Sequence, residues 1–366
     1  MKIGIDATCW WNNRGFGRFT RELLTALFNL DTDHSYVLFV DQPIDDLSRF
    51  THVSIVEVGS SRPTTEAAVA DSSRSPLDMY ALYKSVARTE LDLMYFPAVY
   101  SWFPVPQSLP TMLTVMDAIA EHYPELIFPK WKNRFLWSLK VKLAIWNSQR
   151  ILTLTEASKQ EIVEYIGAPA SMIDIAGCAP SAHFEATTDP LAIKAAHERA
   201  GLPPEARILV YVGGLAPHKN LLGLLDGFEK ALSHEGCQDL HLALVGDFAG
   251  GGFHSNYESL KSRVKESHSL SGHVHFSGYL SEDDLVALYS SAVAAAMPSY
   301  SEGFGLPAIE AMACGAPVLS STLGSLPEVV GEAGIYFDPY DIDQIADAIV
   351  EMTSNSERRA ELSAIA

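Results

Sequence analysis

The most constraining feature of the sequence is the stretch from Pro298 to Ser320, which reads PSYSEGFGLPAIEAMACGAPVLS. A short apolar run at residues 292–297 precedes it, and residues 317–320 are apolar again. Between the two runs, Pro307 suits the first turn of a helix and Gly315 suits the left-handed residue after its end. The pattern therefore predicts a strand, a loop, a short helix and a second strand.

The predicted loop is suited to binding an anion. Gly303 and Gly305 let backbone N–H groups approach a ligand closely, and the helix N-terminus adds a partial positive charge. Glu302 and Glu310, with seven residues between them, stand before and inside the helix and could contact two parts of one bound molecule. The alternative is a buried strand-loop-helix unit with two solvated glutamates, and the local pattern leaves both open.

Composition limits the classes of function. A chain of 366 residues is long enough for two domains, and its net charge of −19 argues against bulk binding to nucleic acid. The four scattered cysteines form no C-x-x-C pair, which indicates a reduced compartment and neither a disulfide framework nor a metal cluster. The N-terminus already has the pattern of a strand, and nothing resembles a signal peptide or a membrane span. These features predict a cytoplasmic α/β protein.

The motif Glu302-x7-Glu310, inside SEGFGLP and followed by A-x-G-x-P-V, resembles the signature of the family 4 retaining glycosyltransferases. The similarity runs along nearly the whole chain. It implies the GT-B fold, an α/β architecture with two Rossmann-like domains facing each other across a cleft. We expect an acceptor-side domain at residues 1–186 and a nucleotide-sugar-binding domain at residues 187–366.

The resemblance implies a role for each residue of the motif. Glu310 would hold the ribose hydroxyls of the donor, and Glu302 would hold hydroxyls of its sugar. Backbone N–H groups of Phe304, Gly305 and Leu306 would bind the diphosphate. No enzymatic nucleophile is implied, because the departing phosphate helps to deprotonate the acceptor.

A second loop, Gly213–Asn220, follows an apolar strand and precedes a helix. Lys219 matches the family lysine that holds the donor diphosphate, and a solvated lysine is the alternative. Gly214 and His218 stand where family members often have arginines, so His218 would contribute charge only when protonated. Further along, backbone groups of Gly278, Tyr279 and Leu280 match the segment that contacts the nucleotide base.

Near the N-terminus, Gly15, Gly17 and Arg18 match a family glycine loop near the donor phosphates and the acceptor. A dinucleotide-binding fingerprint is the alternative, with a nicotinamide-dependent oxidoreductase as the function. It fits less well because residues 7–14 separate the first glycine from the preceding strand. Arg18 could also be a solvated residue of the first helical turn.

Asp117 is a candidate catalytic residue, although Met116 replaces the histidine that usually precedes it in the family. His122 could reach the same site, but an inconsequential loop histidine is the preferred interpretation. Together with Gly214 and His218, Met116 motivates a second hypothesis, a nucleotide-sugar-binding protein that has lost catalysis. Family members usually continue with a helix that crosses back onto the first domain, whereas this sequence ends at Ala366.

No metal site and no cofactor are expected. The two Asp-x-Asp pairs, Asp31/Asp33 and Asp341/Asp343, have the pattern of turn and cap residues. The implied donor is a nucleoside-diphosphate hexose, a UDP-sugar in preference to GDP-mannose. The implied acceptor is a hydroxyl of a glycan or of a lipid-linked acceptor.

Two further stretches stand out. Residues 59–76 read as a mobile loop with no sustained periodicity.

Residues 126–155 hold six basic residues and no acidic one. Mixed with tryptophans, these charges suit an anionic membrane or a lipid diphosphate. The preferred alternative is a helix packed through Leu136, Leu139, Leu143 and Ile145, because the aromatics are spread around it; peripheral docking at the inner membrane face remains a hypothesis.

Overall fold

A computed structural model describes residues 1–12, 15–44, 47–59, 75–128, 130–246, 248 and 256–366. The predicted mobile loop at 59–76 falls mostly outside the described residues. The chain forms two compact units, Met1–Cys178 and Ala179–Ala366. The division precedes the expected boundary at 186/187 because Phe184 is buried in the core of the second unit, with its ring 6.4 Å from that of Tyr289.

The first unit is built on a seven-stranded sheet in which every pairing is parallel. Its spatial order is β3-β2-β1-β4-β5-β6-β7, so the order reverses between β1 and β4. The strands are β1 (Lys2–Asp6), β2 (Ser35–Val40), β3 (Val53–Glu57), β4 (Leu93–Phe96), β5 (Thr111–Thr114), β6 (Arg150–Thr153) and β7 (Ile173–Ile175).

Helices connect these strands. The α-helices are α1 (Gly15–Leu30), α2 (Pro76–Ala87), α3 (Ile119–His122), α4 (Pro124–Ile127), α5 (Trp131–Trp146) and α6 (Glu156–Glu161), which runs into a π-helical turn at Ile162–Ile166. Apolar side chains of β2, β4, β5 and β6 are buried against α2 and α5 on one side of the sheet. Those of β1, β2 and α1 form the core on the other side.

The second unit repeats the plan with six parallel strands in the order β10-β9-β8-β11-β12-β13. Its strands are β8 (Arg207–Val212), β9 (Leu240–Val245), β10 (Val274–Gly278), β11 (Ala294–Met297), β12 (Val318–Ser321) and β13 (Gly334–Phe337). Its α-helices are α7 (Pro190–Arg199), α8 (Leu221–Leu232), α9 (Tyr257–Glu266), α10 (Glu282–Ser291), α11 (Leu306–Ala313), α12 (Leu326–Val330), α13 (Ile342–Ser354) and α14 (Ser356–Ile365).

The strand orders locate the expected ligand sites. In doubly wound sheets a ligand binds beyond the carboxyl ends of the strands at which the order reverses. In the second unit those strands are β8 and β11, and the loops that follow them are the two predicted from sequence. The prediction of an α/β protein with two Rossmann-like sheets is therefore confirmed. Among the described residues, no helix is both long and apolar enough to cross a membrane.

Candidate active site

The loop after β8 is held in shape from within. The Tyr211 hydroxyl donates a hydrogen bond to the Gly214 carbonyl at 2.6 Å, and a 3-10 turn follows at Pro217–Lys219. Asn220 then takes a left-handed backbone conformation, with φ of 52°, directly before α8. Asparagine tolerates this conformation better than most residues, and its amide also donates to the Pro339 carbonyl at 2.7 Å. The turn thereby fixes the position of Lys219.

The loop after β11 ends at Gly305, which precedes α11. Gly305 has φ of +96°, and a Cβ there would lie 2.9 Å from a methyl group of Leu326, so a side chain would be strained. No side chain caps α11, and Pro307 in its first turn has no N–H to satisfy. The N-terminus of α11 therefore presents backbone N–H groups at the site expected for the diphosphate.

The two loops meet in an ion pair. The Lys219 ammonium lies 2.6 Å from Oε1 and 2.7 Å from Oε2 of Glu302, and Ser299 donates to Oε1 at 2.7 Å. The Ser325 hydroxyl also donates to the Glu302 carbonyl oxygen, at 2.8 Å. Glu302 is buried and Lys219 is partly buried. The pair therefore joins two loops that are far apart in sequence.

This environment keeps Glu302 ionised. Burial by itself raises the pKa of its carboxyl, but the charge and hydrogen bond of Lys219, helped by Ser299, hold the pKa below its ordinary value. Sequence reasoning assigned Lys219 to the diphosphate and Glu302 to the sugar as separate contacts. The structure shows that the two side chains also contact each other, in a charge pair that the expected ligand contacts would share or displace.

His218 does not replace the positive charge of the arginine that family members often have at this position. It is buried, and burial followed by the neighbouring Lys219 charge lowers the pKa of its imidazole to about 3. The side chain is therefore neutral near pH 7, and the expectation that it contributes charge when protonated does not apply in that range. Its carbonyl oxygen accepts a hydrogen bond from the Tyr300 N–H at 2.9 Å, which ties the two loops together a second time.

The remaining predicted residues of the second unit surround these loops. Glu310 is buried in the second turn of α11. Gly278 ends β10 and its carbonyl oxygen accepts from the Gly246 N–H, while Tyr279 is exposed and Leu280 is buried. Gly303 and Phe304 lie in the turn between Glu302 and α11.

The acidic pairs have structural roles. Asp341 caps α13 by accepting N–H bonds from Asp343 and Gln344. Asp31 accepts bonds from the Tyr36 hydroxyl and the Asp33 N–H. Both assignments agree with their interpretation as cap and turn residues.

In the first unit the predicted glycine loop is helical. The resemblance describes a loop here, but α1 already begins at Gly15, so Gly15, Gly17 and Arg18 lie in its first turn. A Cβ at Gly17 would lie 2.1 Å from the Asn12 carbonyl oxygen, which explains why only glycine fits there. Nothing like the short strand-to-helix turn of a dinucleotide fingerprint separates β1 from α1 among the described residues.

Asp117 lies after β5 and accepts the Ile119 N–H at 3.2 Å, at the start of α3. Met116 packs with Cys9, Phe16 and Ala98, so this segment adjoins the first turn of α1. His122 stacks between Tyr123 and Tyr165 and lies 3.5 Å from Glu161, and burial lowers the pKa of its ring. Its described contacts are thus with Tyr123 between α3 and α4, with Glu161 of α6 and with Tyr165 of the π-helical turn.

Sequence reasoning missed Glu121. Burial raises the pKa of its carboxyl to about 7, although the Trp137 indole donates a hydrogen bond to it at 2.7 Å, and the charge of Asp117 raises the pKa further. A glutamate on a four-residue helix carries no pattern that signals burial. Its burial comes from tertiary packing, in which Trp137 of α5 contacts the carboxylate.

The sequence of the second unit matches a known protein family. The family described as "Glycosyl transferases group 1" matches residues 192–366, which contain both loops and the Lys219–Glu302 pair. O-antigen chain mannosyltransferase B of Escherichia coli is 30% identical over 257 residues, covering 70% of this chain and 65% of that protein. A D-inositol 3-phosphate glycosyltransferase of Mycolicibacterium smegmatis is 33% identical over 207 residues, covering 56% and 45%.

These relatives are longer proteins. The chain spans 65%, 43% and 23% of the first three curated relatives it matches, the second and third being serotype-specific mannosyltransferases WbdA of Escherichia coli.

Solved structures share the fold over the whole chain. Sucrose-phosphate synthase from Thermosynechococcus elongatus has a TM-score of 0.73 at 18% identity, covering 99% of this chain and 92% of that one. HepE from Anabaena, solved with UDP and glucose, has a TM-score of 0.71 at 16% identity, with the same coverage. At these identities the likeness establishes the fold, which is of the GT-B type.

Proposed function

We propose that this chain, whose residues 192–366 belong to the group 1 glycosyl transferases, is a retaining hexosyltransferase that uses a nucleoside-diphosphate sugar. The observation that carries the proposal is the Lys219–Glu302 pair beside the N-terminus of α11, at the carboxyl ends of β8 and β11. It places a cation, a carboxylate and a helix N-terminus together at the point where such sheets bind nucleotides.

The proposed donor contacts divide between the two loops. Glu310 holds the ribose hydroxyls by charge-assisted hydrogen bonds, and Glu302 holds hydroxyls of the sugar. Lys219 and the N–H groups of Phe304, Gly305 and Leu306 bind the diphosphate. The geometry supports this division because Glu302 and Lys219 lie in adjoining loops, whereas Glu310 lies further along α11.

The proposed reaction breaks the bond between the anomeric carbon and the diphosphate oxygen, and the acceptor oxygen bonds to that carbon on the same face. The acceptor proton passes to the departing diphosphate. Lys219 and the N-terminus of α11 stabilise the negative charge that develops on the leaving group. No metal or cofactor is required in this scheme, because protein groups supply the neutralising charge. Asp117, with the first turn of α1 at Gly15, Gly17 and Arg18, would lie on the acceptor side.

A UDP-sugar is the favoured donor, and GDP-mannose is the second candidate. HepE, a structure of similar fold, was solved with UDP, and the first curated relatives carry mannosyltransferase names. The proposed acceptor is a hydroxyl of a glycan or of a lipid-linked acceptor, on the cytoplasmic side. Residues 126–155 would provide peripheral contact with an anionic membrane.

One observation favours a second candidate function, a nucleotide-sugar-binding protein without catalysis. Lys219 is already paired with Glu302 and His218 is neutral near pH 7, so little positive charge is left to stabilise a leaving group. Release of nucleoside diphosphate from UDP-glucose, UDP-galactose and GDP-mannose, followed with and without added acceptor glycans, separates the two. Turnover of one donor supports the transferase, whereas tight donor binding without any release supports the binding protein.

A further inference from the structure

Helix α5 is fixed to the first unit through one of its faces. Val141 and Ala144 are buried there, the Trp137 indole donates to Glu121, and the Lys140 ammonium donates to the Tyr100 carbonyl at 2.5 Å. This inner face combines apolar packing with two side-chain hydrogen bonds to other parts of the first unit. The helix is therefore held firmly in one orientation.

The opposite face of α5 is apolar and exposed. At 3.6 residues per turn its members fall within an arc of about 140°. We define the outer face of α5 as Trp131 (74% exposed), Phe135 (61%), Leu136 (56%), Leu139 (45%), Leu143 (43%) and Trp146 (70%). A contiguous exposed patch of large apolar side chains marks a site of contact with a partner or a membrane.

This arrangement corrects the preferred interpretation of the sequence. Leu136, Leu139 and Leu143 were expected to pack the helix against the protein, yet all three are exposed. The exposed aromatic residues of α5 also lie on one side of the helix. Trp137, which made the aromatics look spread around the helix, belongs to the inner face. A helix that is apolar on both sides has to bury both, and the first unit covers only one.

The charges around the outer face indicate what covers it. Lys132 and Lys142 project within the same arc, and Arg134, which is also exposed, lies about 60° from its edge. None of the three forms an ion pair within the described part of the chain, and no acidic residue occurs between positions 126 and 155. In a protein of net charge −19, this local excess of positive charge is complementary to an anionic surface.

Tryptophans stand at both ends of the outer face. Trp131 and Trp146 are about 22 Å apart along the helix axis, at 1.5 Å per residue. Indole rings favour the headgroup region of a bilayer. Lysines that lie within an apolar helix face can rest their stems along the apolar surface and keep their ammonium groups at the headgroups, which suits a helix in the membrane plane. A headgroup layer would therefore accept both ends of α5 at the same depth.

We infer that the outer face of α5 inserts into the headgroup region of an anionic bilayer, with the helix axis in the membrane plane. The inference rests on the proposed function, since it names the surface at which a lipid-linked acceptor would be met. The inference goes beyond electrostatic contact, because inserted apolar side chains also contribute to binding. Salt screens the electrostatic part of the binding but not this apolar part.

The inner face connects this surface to the predicted acceptor segments. Trp137 bonds to Glu121, four residues beyond Asp117, and packs against Tyr100, whose ring stacks on Phe16 at 5.0 Å. Phe16 lies between Gly15 and Gly17. An inserted α5 would therefore bring these segments close to the lipid surface.

The test is co-sedimentation of the full chain with vesicles of phosphatidylglycerol and phosphatidylcholine in equal parts, compared with phosphatidylcholine alone. A Trp131→Ser/Phe135→Ser/Trp146→Ser variant should lose at least about tenfold in partitioning, at low and at high salt, because three large apolar side chains no longer insert. A Lys132→Glu/Lys142→Glu variant should lose binding mainly at low salt. The control is Leu77→Ser/Tyr80→Ser, two residues of α2 that are 78% and 61% exposed, which should bind like the wild type.

Fluorescence gives an independent readout of insertion. Brominated phosphatidylglycerol should quench the wild type strongly and a Trp131→Phe/Trp146→Phe variant only weakly. Equal partitioning of the wild type and the triple-serine variant would overturn the inference, as would a wild-type dimer that the triple-serine variant splits, because the outer face would then join two copies. Donor hydrolysis in solution is measured separately: its absence in the wild type would refute the proposed function and leave the vesicle result standing.

Discussion

The two units have sheets of the same design but different chemistry at the carboxyl ends of their strands. In the second unit the loops after β8 and β11 are joined by a charged pair, Lys219 and Glu302. In the first unit the corresponding region is built from the first turn of α1, aromatic packing around Phe16, and the carboxylates Asp117 and Glu121. Under the proposed function, the second unit holds the anionic donor, whereas the first offers shape, apolar contact and proton-binding groups.

The largest expected effect follows from removing the charge of Glu302. Glu302→Gln keeps the shape of the side chain but removes the anion that would position the donor sugar, so transfer should fall by at least about 100-fold. Nucleoside-diphosphate release in the presence of acceptor measures it.

Glu332→Gln is the matched control, since Glu332 is an exposed glutamate of the same unit. It should leave the rate unchanged. If the Glu302→Gln enzyme were as fast as the wild type, the Lys219–Glu302 pair would have no role in the transfer reaction.

The second expected effect separates the units by pH. The Glu121 pKa is raised to about 7, so its contribution to the first unit is complete at acidic pH and is lost as pH rises through 7. The His218 pKa is lowered to about 3, so its contribution to the second unit is complete above its ordinary pKa and is lost as pH falls below about 6.5. The pKa of Glu302, held below its ordinary value, affects stability only at lower pH.

Glu121→Gln and His218→Gln should therefore flatten the pH dependence of stability in opposite directions between pH 5 and 8, by about 2 kcal/mol each. Hydrogen exchange of the strand amides in each sheet, measured across this range, localises the change. If both variants altered the same sheet, or if both slopes had the same sign, the contrast between the units would be wrong.

The last prediction is that removing metal ions leaves the rate of donor turnover unchanged. If Lys219 and the N-terminus of α11 neutralise the diphosphate, donor turnover should survive an excess of chelator. A rate that collapses with chelator and returns with magnesium or manganese would contradict this. It would show that a metal ion, and not the charges of the second unit, neutralises the diphosphate.

Much of this contrast could be predicted from the sequence, because local patterns encode it. The apolar strands, the glycine loop before α11 and the cap of α10 at Ser281 follow from spacing and propensity. The position of both loops at one sheet edge then follows from the strand order.

Other features depend on contacts that no local pattern contains. Lys219 and Glu302 form an ion pair although 83 positions separate them in the sequence, and the raised pKa of Glu121 comes from burial by parts of the chain outside its own helix. The exposure of Leu136 and Leu143 was predicted incorrectly for a related reason: a helix with apolar residues on all sides does not indicate which side the protein covers.

The most direct test of the donor site is calorimetric titration with free nucleoside diphosphate, using whichever of UDP and GDP binds the wild type. Glu310→Ala should weaken binding at least about tenfold, because the ribose loses a charge-assisted hydrogen-bond acceptor. Glu302→Ala should leave the affinity within about threefold, because the free nucleotide has no sugar and Lys219 is released for the diphosphate. Equal losses in the two variants would contradict the assignment of Glu310 to the nucleotide and Glu302 to the sugar.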